Sequence, residues 1–369
     1  MNVKTNPSPT AGPRHRFTAS PPSLRFPRIT GAGRPVSLCD LHNKQQGVAL
    51  VVAVLVVAIA AVLATALVDR LNLDIRRTEN LIHSEQAYVY AQGAEIIATA
   101  ALHQDRQNNK YDSLDETWAM EAPPFPVEGG AVTGKLTDLQ GCFNINNLSR
   151  VLNEANHEND LQRFYRLLSA VDISPMAGTA VVDWLDDNME TTPPDGAEDD
   201  WYMGLTPPYR AANGIITSIS ELRMLRGFEK NDTENADGNA FEKLAPYICA
   251  LPIATTINVN TAPDKVLKSL SAEMTDDDVS KIIEHRNGGP DPTDNTNAEP
   301  FETLDQFKNF MHLTLNKPDF PTQNLGVATN YFLLEATAQT GNNRSTLYSI
   351  IQRDDNGSCH VIARSQGVW

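Results

Sequence analysis

Six of the oxygen-bearing side chains in one fifteen-residue segment near the middle of this chain form a pattern that suits a divalent cation. They are Asp186, Asn188, Glu190, Glu198, Asp199 and Asp200. The first three alternate along the chain, a spacing by which a loop turns successive oxygens toward one ion. Pro193 and Pro194 then bend the chain and bring back a second group of carboxylates. Because hard oxygen ligands without His or Cys select Ca²⁺ over zinc or copper, we expect a calcium site here.

The alternative is an acidic loop that is simply solvated. The chain carries 46 Asp and Glu against 30 Lys and Arg, a net charge of −16, so acidic loops are common on it. The segment also departs from the EF-hand pattern, since Thr191 stands where that loop has Gly and Ala197 where it has Glu. Metal binding and simple solvation are therefore both compatible with the residues alone.

The cysteine spacing and the lack of catalytic motifs argue against a zinc site and give no sign of an enzyme. The sequence has no CxxC pair and no Cys/His cluster, so a zinc site is not expected. It also lacks GxSxG, HExxH and GxxxxGKS/T motifs, and nothing in it argues for an enzyme. We expect Cys142 and Cys249 to form a disulfide in an oxidising compartment, because each lies just before a strand-like repeat.

The elements that must hold these side chains begin with a 21-residue uncharged apolar run, 48–68. A helix of that length is about 31 Å long, enough to span the hydrocarbon core of a bilayer. Residues 1–47 hold seven Lys and Arg against one acid, whereas the rest holds 23 basic and 45 acidic residues, a net charge of −22. By the positive-inside rule, we expect the leader in the cytoplasm and residues 69–369 on the other side of the membrane.

The junction before the apolar run carries a second signal. Gly47 ends a basic leader and Val48 begins the run, an order that resembles a type IV pilin-like precursor. A secretory signal would instead place its cleavage site after the apolar run. We therefore expect prepilin peptidase to cut between Gly47 and Val48, leaving the helix as the mature N-terminus. The alternative is an ordinary single-span anchor that is not processed.

Helical character is expected to continue from Asp69 to about His103, because this stretch has no Pro and only one Gly. Four aliphatic residues recur every seven positions and so share one stripe of the helix: Ile75, Ile82, Val89 and Ile96. Alanines surround the stripe. A long N-terminal helix, half in the membrane and half on a soluble domain, is typical of the pilin fold.

Alternating patterns then predict two groups of strands at the two ends of the soluble part. The predicted strands are 131–136, 142–146, 331–339, 346–353 and 359–364. Asn356-Gly357 between the last two is a strong hairpin signal. Mostly helical patterns lie between the two groups, so the sequence predicts an α+β fold in which a large helical insertion interrupts an antiparallel sheet.

The insertion contains a weak internal repeat. Residues 143–147, FNINN, are echoed by 257–261, INVNT, and two helical segments follow each copy. The predicted helices are 161–171 and 175–187 in the first copy, and 263–270 and 276–286 in the second. Each copy closes with a helix-start phrase, 219–225 or 301–307, that fits a Ser or Thr cap with an acid in the first turn.

The second copy resembles a helix-hairpin-helix or SAM-like module, a unit that often binds the DNA backbone. In such modules, Gly-rich hairpin amides and nearby basic residues contact phosphates. Here the hairpin 271–275 lacks Gly and is followed by Asp276, Asp277 and Asp278, which would repel phosphate. We therefore expect a structural or protein-contact role for this module and no nucleic acid partner.

Two other functions are compatible with the sequence. DNA uptake by a pilin-like protein is the alternative function, and a membrane-anchored enzyme with an unrecognised site is a third hypothesis.

Taken in order, several phrases resemble the K-type minor pseudopilins of type II secretion systems, over essentially everything from Gln45 onward. They are QQGVALVVAVLVV, EQAYVYAQGAE, GCFNIN, VVDWLDDN with PPDGAEDDWY, INVNTAP and RDDNG. The resemblance implies a pilin fold with a large helical insertion, bound calcium in that insertion, a methylated N-terminus and no enzymatic activity. It also implies a place at the tip of the periplasmic pseudopilus, where the chain would initiate or cap assembly.

The same resemblance implies a set of partners and a domain plan. The partners are I-type and J-type minor pseudopilins, the major pseudopilin filament, the inner-membrane assembly platform and prepilin peptidase, with the secretin or exported substrate as further contacts of the insertion. The chain would be a single-pass inner-membrane protein with its bulk in the periplasm. The expected parts are a cleaved leader 1–47, a membrane helix 48–68, a helix with first strands 69–147, the insertion 148–328 and the last strands 329–369.

One apolar residue fits the tip position. Most pseudopilins carry Glu at the fifth mature position, where its buried carboxylate is thought to meet the N-terminal amine of a neighbouring subunit. Counted from Val48, the fifth residue here is Val52. A subunit at the tip has no subunit above it whose amine needs neutralising, so an apolar residue is tolerated there. An ordinary membrane anchor would also have Val at this point.

Overall fold

The structure, a computed structural model, describes residues 45–229, 239–289 and 297–367, with side chains from Gly47 onward. The predicted leader therefore lies outside the described residues, apart from its last three positions. The chain divides into two compact units, one ending at Asn72 and one from Leu73 to the C-terminus. The sheet, the insertion and the acidic loop all belong to the second unit.

The N-terminal element is one helix, α1, from Gln45 to Asn108, which is 64 residues long. It is long and apolar enough to cross a membrane by length and composition. Every side chain of 48–68 is exposed in the described chain. The predicted long N-terminal helix is thus confirmed as one element, which ends five residues beyond His103, while its place in a membrane stays a prediction.

The remaining elements alternate between short helices and strands. The helices are α2 (His157–Ala170), α3 (Ala177–Leu185), α4 (Asp199–Tyr202), α5 (Ala240–Leu244), α6 (Asp264–Ser269), α7 (Asp276–Asn287) and α8 (Leu304–Leu313). The strands are β1 (Phe125–Val127), β2 (Gly130–Asp138), β3 (Phe143–Asn144), β4 (Ile248–Cys249), β5 (Ile257–Asn258), β6 (Leu325–Gly326), β7 (Tyr331–Thr340), β8 (Asn343–Arg353) and β9 (Cys359–Gln366). Three 3-10 turns lie at Ile145–Leu148, Ile219–Met224 and Ala245–Tyr247.

Five strands form one antiparallel sheet in the order β1-β2-β7-β8-β9. The long strands β2, β7, β8 and β9 coincide with predicted ones, so the expectation of a sheet interrupted by an insertion is confirmed. The Asn-Gly hairpin is also confirmed, with Gly357 at φ +87°, a conformation that Gly adopts without strain. Sequence analysis missed β1, because Pro126 argues against a strand; as an edge strand, β1 tolerates it.

Small residues of α1 hold the helix against this sheet. Ala87, Ala91 and Ala98 are buried in one cluster with apolar side chains of β7 and β8. Alanine lets the helix axis approach the sheet closely, while larger residues would force the two apart. The aliphatic stripe of α1 faces away from this core, and its members are 54–73% exposed: Ile75, Ile82, Val89 and Ile96. The stripe is therefore free to contact something other than the sheet of this chain.

The insertion has its own hydrophobic core, built from α2, α3, α6, α7 and α8 with the loops between them. The predicted helices are all present within a few residues of their expected bounds. The predicted strand 142–146 is wrong in its second half, because only Phe143–Asn144 is extended. The side-chain oxygen of Asn144 accepts a hydrogen bond from the N–H of Asn146 at 3.2 Å, and this local bond turns the chain into a 3-10 helix.

The internal repeat recurs in the contacts. Asn146 holds both backbone groups of Ile216, with N···O distances of 2.8 and 2.9 Å. Asn260 holds both backbone groups of Phe301 in the same way, at 2.9 Å each. We call these two arrangements the asparagine clamps. Each clamped residue lies two positions before a helix cap, at Ser218 or Thr303. The repeat is therefore structural, while its assignment as a helix-hairpin-helix unit stays a prediction.

Candidate functional site

The acidic loop begins at the end of α3. This helix packs Ala180, Val181 and Trp184 into the core of the insertion and ends at Asp186, whose backbone is extended. On the same helix, Asp183 is completely buried and accepts a hydrogen bond from the N–H of Thr192, with both oxygens at 3.1 Å. The helix thereby fixes the carboxylate of Asp183 inside the loop and that of Asp186 at the edge of the loop.

The first half of the loop is organised by its own side chains. The N–H of Asn188 donates to Asp186 at 3.1 Å, and the N–H of Glu190 donates to Asn188 at 2.6 Å. These turns are the conformations that Asp and Asn favour in loops. The side chains of Asn188 and Glu190 themselves are exposed. The described contacts therefore bring Asp186 toward the buried part of the loop but do not bring Glu190 there.

Glu198 is the most informative residue of the loop. It is only 2% exposed, and neither carboxylate oxygen has a hydrogen-bond partner among the described residues. Burial, and then the negative charges of Asp183, Asp186, Asp199 and Asp200, raise the pKa of Glu198 to about 7. A buried, unpartnered carboxylate surrounded by like charges is costly. A divalent cation would remove that cost, so the donor set fits Ca²⁺.

Close approach of the two halves of the loop depends on Gly196. A Cβ atom at this position would collide with Oδ2 of Asp183 and with the carbonyl oxygen of Thr192. The carbonyl of Gly196 accepts a hydrogen bond from Arg226 at 3.2 Å, which fixes the bend from outside. Glycine at this position therefore allows Glu198 to reach the neighbourhood of Asp183.

The last two predicted ligands already have protein partners. Asp199 accepts from the N–H of Ala211 at 3.0 Å and pairs with Arg210 at 3.2 Å. Asp200 is exposed and accepts from the N–H of Trp201 at 3.0 Å. Asp183 and Asp186 also accept backbone hydrogen bonds, so Glu198 is the one of these carboxylates without a partner among the described residues. The charges of Asp183 and Asp186 raise the pKa of Glu198, which makes these three the candidate inner carboxylates. Sequence analysis missed Asp183, although its position three residues before Asp186 on an amphipathic helix was a usable signal.

A second group of carboxylates has a different explanation. Within the described residues, oxygens of Asp105, Asp112 and Glu116 lie within 4.8 Å of one another. Arg353 pairs with Asp105 at 2.8 Å and with Asp112 through a short ion pair, and Arg106 lies 3.6 Å from Asp112. Because two guanidinium groups already neutralise these carboxylates, the group is an internal ion-pair cluster rather than a metal centre. We call it the arginine cluster.

Cys142 and Cys249 lie in one small hydrophobic cluster and are both free thiols in this structure. The adjacent strands β3 and β4 are paired in parallel, with Asn144 opposite Cys249. Burial raises the pKa of Cys142 to about 12. Cys359 is a separate, half-buried thiol in the sheet. The bond between Cys142 and Cys249 therefore stays a prediction, with its two partners in the same cluster.

Residues of the predicted processing site lie at the start of α1. A Cβ atom at Gly47 would meet nothing within 4 Å, and Val48 and Val52 are 64% and 51% exposed. Nothing in the described contacts assigns these residues a role within the chain. Their proposed roles depend on a peptidase and on neighbouring subunits.

Comparison with known proteins identifies the relatives of this chain. Two family models described as "Type II secretion system (T2SS), protein K" match residues 141–253 and 257–328. Type II secretion system protein K of Aeromonas hydrophila is 31% identical over 342 residues, covering 88% of this chain and 98% of the relative. The Pseudomonas aeruginosa protein of the same name is 32% identical over 338 residues, covering 89% of this chain and 94% of the relative.

A solved structure is similar in fold as well as in sequence. It is the crystal structure of the GspK–GspI–GspJ complex from the type 2 secretion system of enterotoxigenic Escherichia coli. The matched chain superposes with a TM-score of 0.65 at 25% identity, covering 79% of this chain and all of that chain. The two family models cover most of the insertion, including the acidic loop at 186–200.

Proposed function

This chain belongs to the type II secretion system protein K family and is a minor pseudopilin, and from that premise we propose that it forms the tip of the pseudopilus and initiates or caps its assembly. Family members are structural components of the secretion machine and not known enzymes. The single observation that carries the proposal is the exposed aliphatic stripe of α1, which continues an apolar membrane helix onto the folded domain.

The stripe has the geometry of a helix-packing surface. Its residues recur every seven positions, the spacing by which two helices pack along a shared seam. Exposed aliphatic side chains in a continuous row mark an interaction surface, since water is a poor solvent for them. The similar Escherichia coli protein was solved in a complex with GspI and GspJ. We propose that I-type and J-type minor pseudopilins pack against this stripe.

Val52 supports the tip position. A buried Glu at the fifth mature position would need a cationic partner in the apolar seam, because an isolated charge there is costly. Val52 makes no such demand, which suits a subunit with no neighbour above it. We further propose that prepilin peptidase cleaves between Gly47 and Val48, that the new amine is methylated, and that 48–68 anchors the chain in the inner membrane with its bulk in the periplasm.

Calcium is the proposed ligand of the acidic loop. The buried carboxylates Asp183 and Glu198 and the partly exposed Asp186 supply hard oxygen donors, and Glu198 has no protein partner among the described residues. The ion would fix the long connection between α3 and the 3-10 turn at Ile219–Met224, and so stabilise one face of the insertion. This role is structural and requires no catalytic step.

Co-purification tests the assembly function. Full-length chain, co-expressed with the I-type and J-type pseudopilins of its own system and extracted in detergent, should elute as a complex with both. Ile82→Asp and Ile96→Asp, placed on the stripe, should abolish co-elution, because each puts a charge into an apolar seam. Ile362→Asp is the matched control, since Ile362 is 42% exposed on β9 away from the stripe. Unchanged co-elution of the stripe variants would overturn the interface.

The DNA-uptake alternative gains no support from the structure. The hairpin before α7 is capped by Thr275 and Asp278, and Lys268 and Lys281 are paired with Asp276 and Asp277. The lysines near the hairpin are thus already neutralised by carboxylates at the place where phosphate would bind.

A further inference from the structure

A groove of about 650 Å³ opens between α8 and the loop that follows α1. Its floor is aromatic. The ring of His285 stacks on Phe310 at a centroid distance of 4.6 Å and lies 5.0 Å from Phe301, while Tyr111 forms the opposite wall. This volume accommodates a long side chain with its adjoining backbone.

The rim of the groove is acidic. Asp115, Glu299 and Glu302 line it, together with the polar side chains of Gln306 and Asn309. No Lys or Arg occurs among the described residues that line the groove. Burial lowers the pKa of His285, against the opposing effect of Glu299, so the imidazole is neutral at neutral pH and does not repel a cation. The groove therefore combines negative charge with the partly exposed rings of Tyr111, His285 and Phe310.

We propose that this groove binds a Lys or Arg side chain presented by a segment of a protein partner. Aromatic faces attract a cation through their quadrupole, and carboxylates at the rim pair with its charged head. The aliphatic stem of Lys or Arg would lie along Phe310 and Leu313, which is 77% exposed at the mouth. Charge complementarity selects a basic segment over an acidic or purely apolar one.

The groove is separate from the two surfaces discussed so far. Most of its lining comes from α7, α8 and the residues between them in the second repeat, whereas the acidic loop follows α3 in the first repeat. Its residues belong neither to the aliphatic stripe of α1 nor to the carboxylates around Glu198. Failure of this proposal would therefore leave the assembly function and the calcium site untouched, and the reverse also holds.

Calorimetric titration of full-length protein in detergent, with calcium in excess, tests the proposal. The probes are three capped pentapeptides, Gly-Gly-X-Gly-Gly with X as Arg, Lys or Gln, and free arginine amide. We expect the Arg and Lys peptides to bind and the Gln peptide not to bind. Glu302→Gln and Glu299→Gln should each weaken the Arg peptide by about three- to tenfold. Asp305→Asn, an exposed acid on α8 outside the groove, should leave its affinity unchanged.

Three results would overturn the proposal. One is equal binding of the Gln peptide, which would show that the cation is not recognised. Another is equal weakening by Asp305→Asn and Glu302→Gln, which would reduce the effect to the overall charge of the surface. The third is free arginine amide binding as tightly as the Arg peptide, which would identify a small cation rather than a protein segment as the ligand.

Discussion

At the scale of single residues, the chain keeps two carboxylates in surroundings that oppose their ionisation. Glu198 is buried beside other acids without a partner, and Glu116 lies beside Asp105 in the arginine cluster. The two carboxylates differ in what would offset the cost of their burial. An external cation suits Glu198, whereas Glu116 accepts hydrogen bonds from Ser113 and Trp118 at 2.9 Å each. Each case gives a separate prediction.

Calcium should raise the melting temperature of the protein, and chelation should lower it. A ligand that binds only the folded state stabilises it by RT ln(1 + [L]/Kd), about 2.7 kcal/mol at one hundred times Kd. Glu198→Gln should raise the melting temperature in chelator, because it removes a buried charge, and should also abolish the response to calcium. Asp187→Asn, an exposed neighbour, is the control and should keep the response. Identical melting of the unmodified protein in chelator and in millimolar calcium would refute the site.

The pH dependence of stability should carry the signature of Glu116. Burial raises the pKa of Glu116 to about 7 in the folded state, above its ordinary value of 4.5. The folded state therefore holds a proton that the unfolded state has released, so this contribution is complete below about pH 4.5 and is lost as the pH rises through 7. Glu116→Gln should remove a loss of about 1–2 kcal/mol between pH 5 and 8.

Chemical denaturation at each pH, with calcium in excess, measures this effect. Glu121→Gln provides a control, because Glu121 is an exposed carboxylate. If the pH profile of Glu116→Gln paralleled that of the unmodified protein, the shifted titration would belong to another group.

At the scale of elements, the insertion is built from two repeats that use the same asparagine clamp. Asn146 follows β3 and Asn260 follows β5, and the buried side-chain amide of each bonds a residue that lies just before a helix start. Each clamp satisfies an N–H and a carbonyl that would otherwise be buried without a partner. The segment between Asn146 and its partner Ile216 carries the acidic loop. The segment between Asn260 and its partner Phe301 instead supplies part of the groove lining.

Removing a clamp should destabilise the insertion strongly. Asn146→Ala and Asn260→Ala should each cost about 2–4 kcal/mol of unfolding free energy, because three backbone groups lose a partner at each site. Gln162→Ala, on the exposed face of α2, is the control and should change stability by less than about 0.5 kcal/mol. Denaturant titration measures all three, and a cost near that of the control would show that water can replace the clamp.

These elements also show how far sequence analysis reaches. The long strands and the helices could be predicted, because their apolar residues repeat with a period of 2 or 3.6. The early end of β3 could not, because one side-chain hydrogen bond from Asn144 decides it. The spacing of Asp183 from Asp186 was visible, but its complete burial could not be predicted, since burial of a helical carboxylate depends on what packs over it. Repeated asparagines were visible as a pattern, but their partners Ile216 and Phe301 are 70 and 41 residues away.

At the scale of the whole molecule, the chain combines a membrane helix, a sheet and an insertion that each carry a different surface. We expect the mature protein to begin at Val48. N-terminal mass spectrometry of membrane-extracted protein should show this residue with a methylated amine. Gly47→Ala should be processed poorly, since a methyl group at the scissile position crowds the peptidase. Recovery of Lys44–Gly47 on the working protein would contradict the prediction.

The arginine cluster has a mechanical consequence for any force that acts along α1. Arg353, on β8, bonds the carbonyl of Leu102 at 3.2 Å and pairs with Asp105, so it grips the last turns of α1. It also bonds the carbonyl of Thr329 at 3.0 Å, just before β7. A force along the axis of these turns of α1 would load this guanidinium, in addition to the alanine contacts, and would reach β8 and β7 together. Because those strands share an antiparallel ladder, the load would fall on their hydrogen bonds in shear, and Arg353 would act as a mechanical coupling between α1 and the sheet.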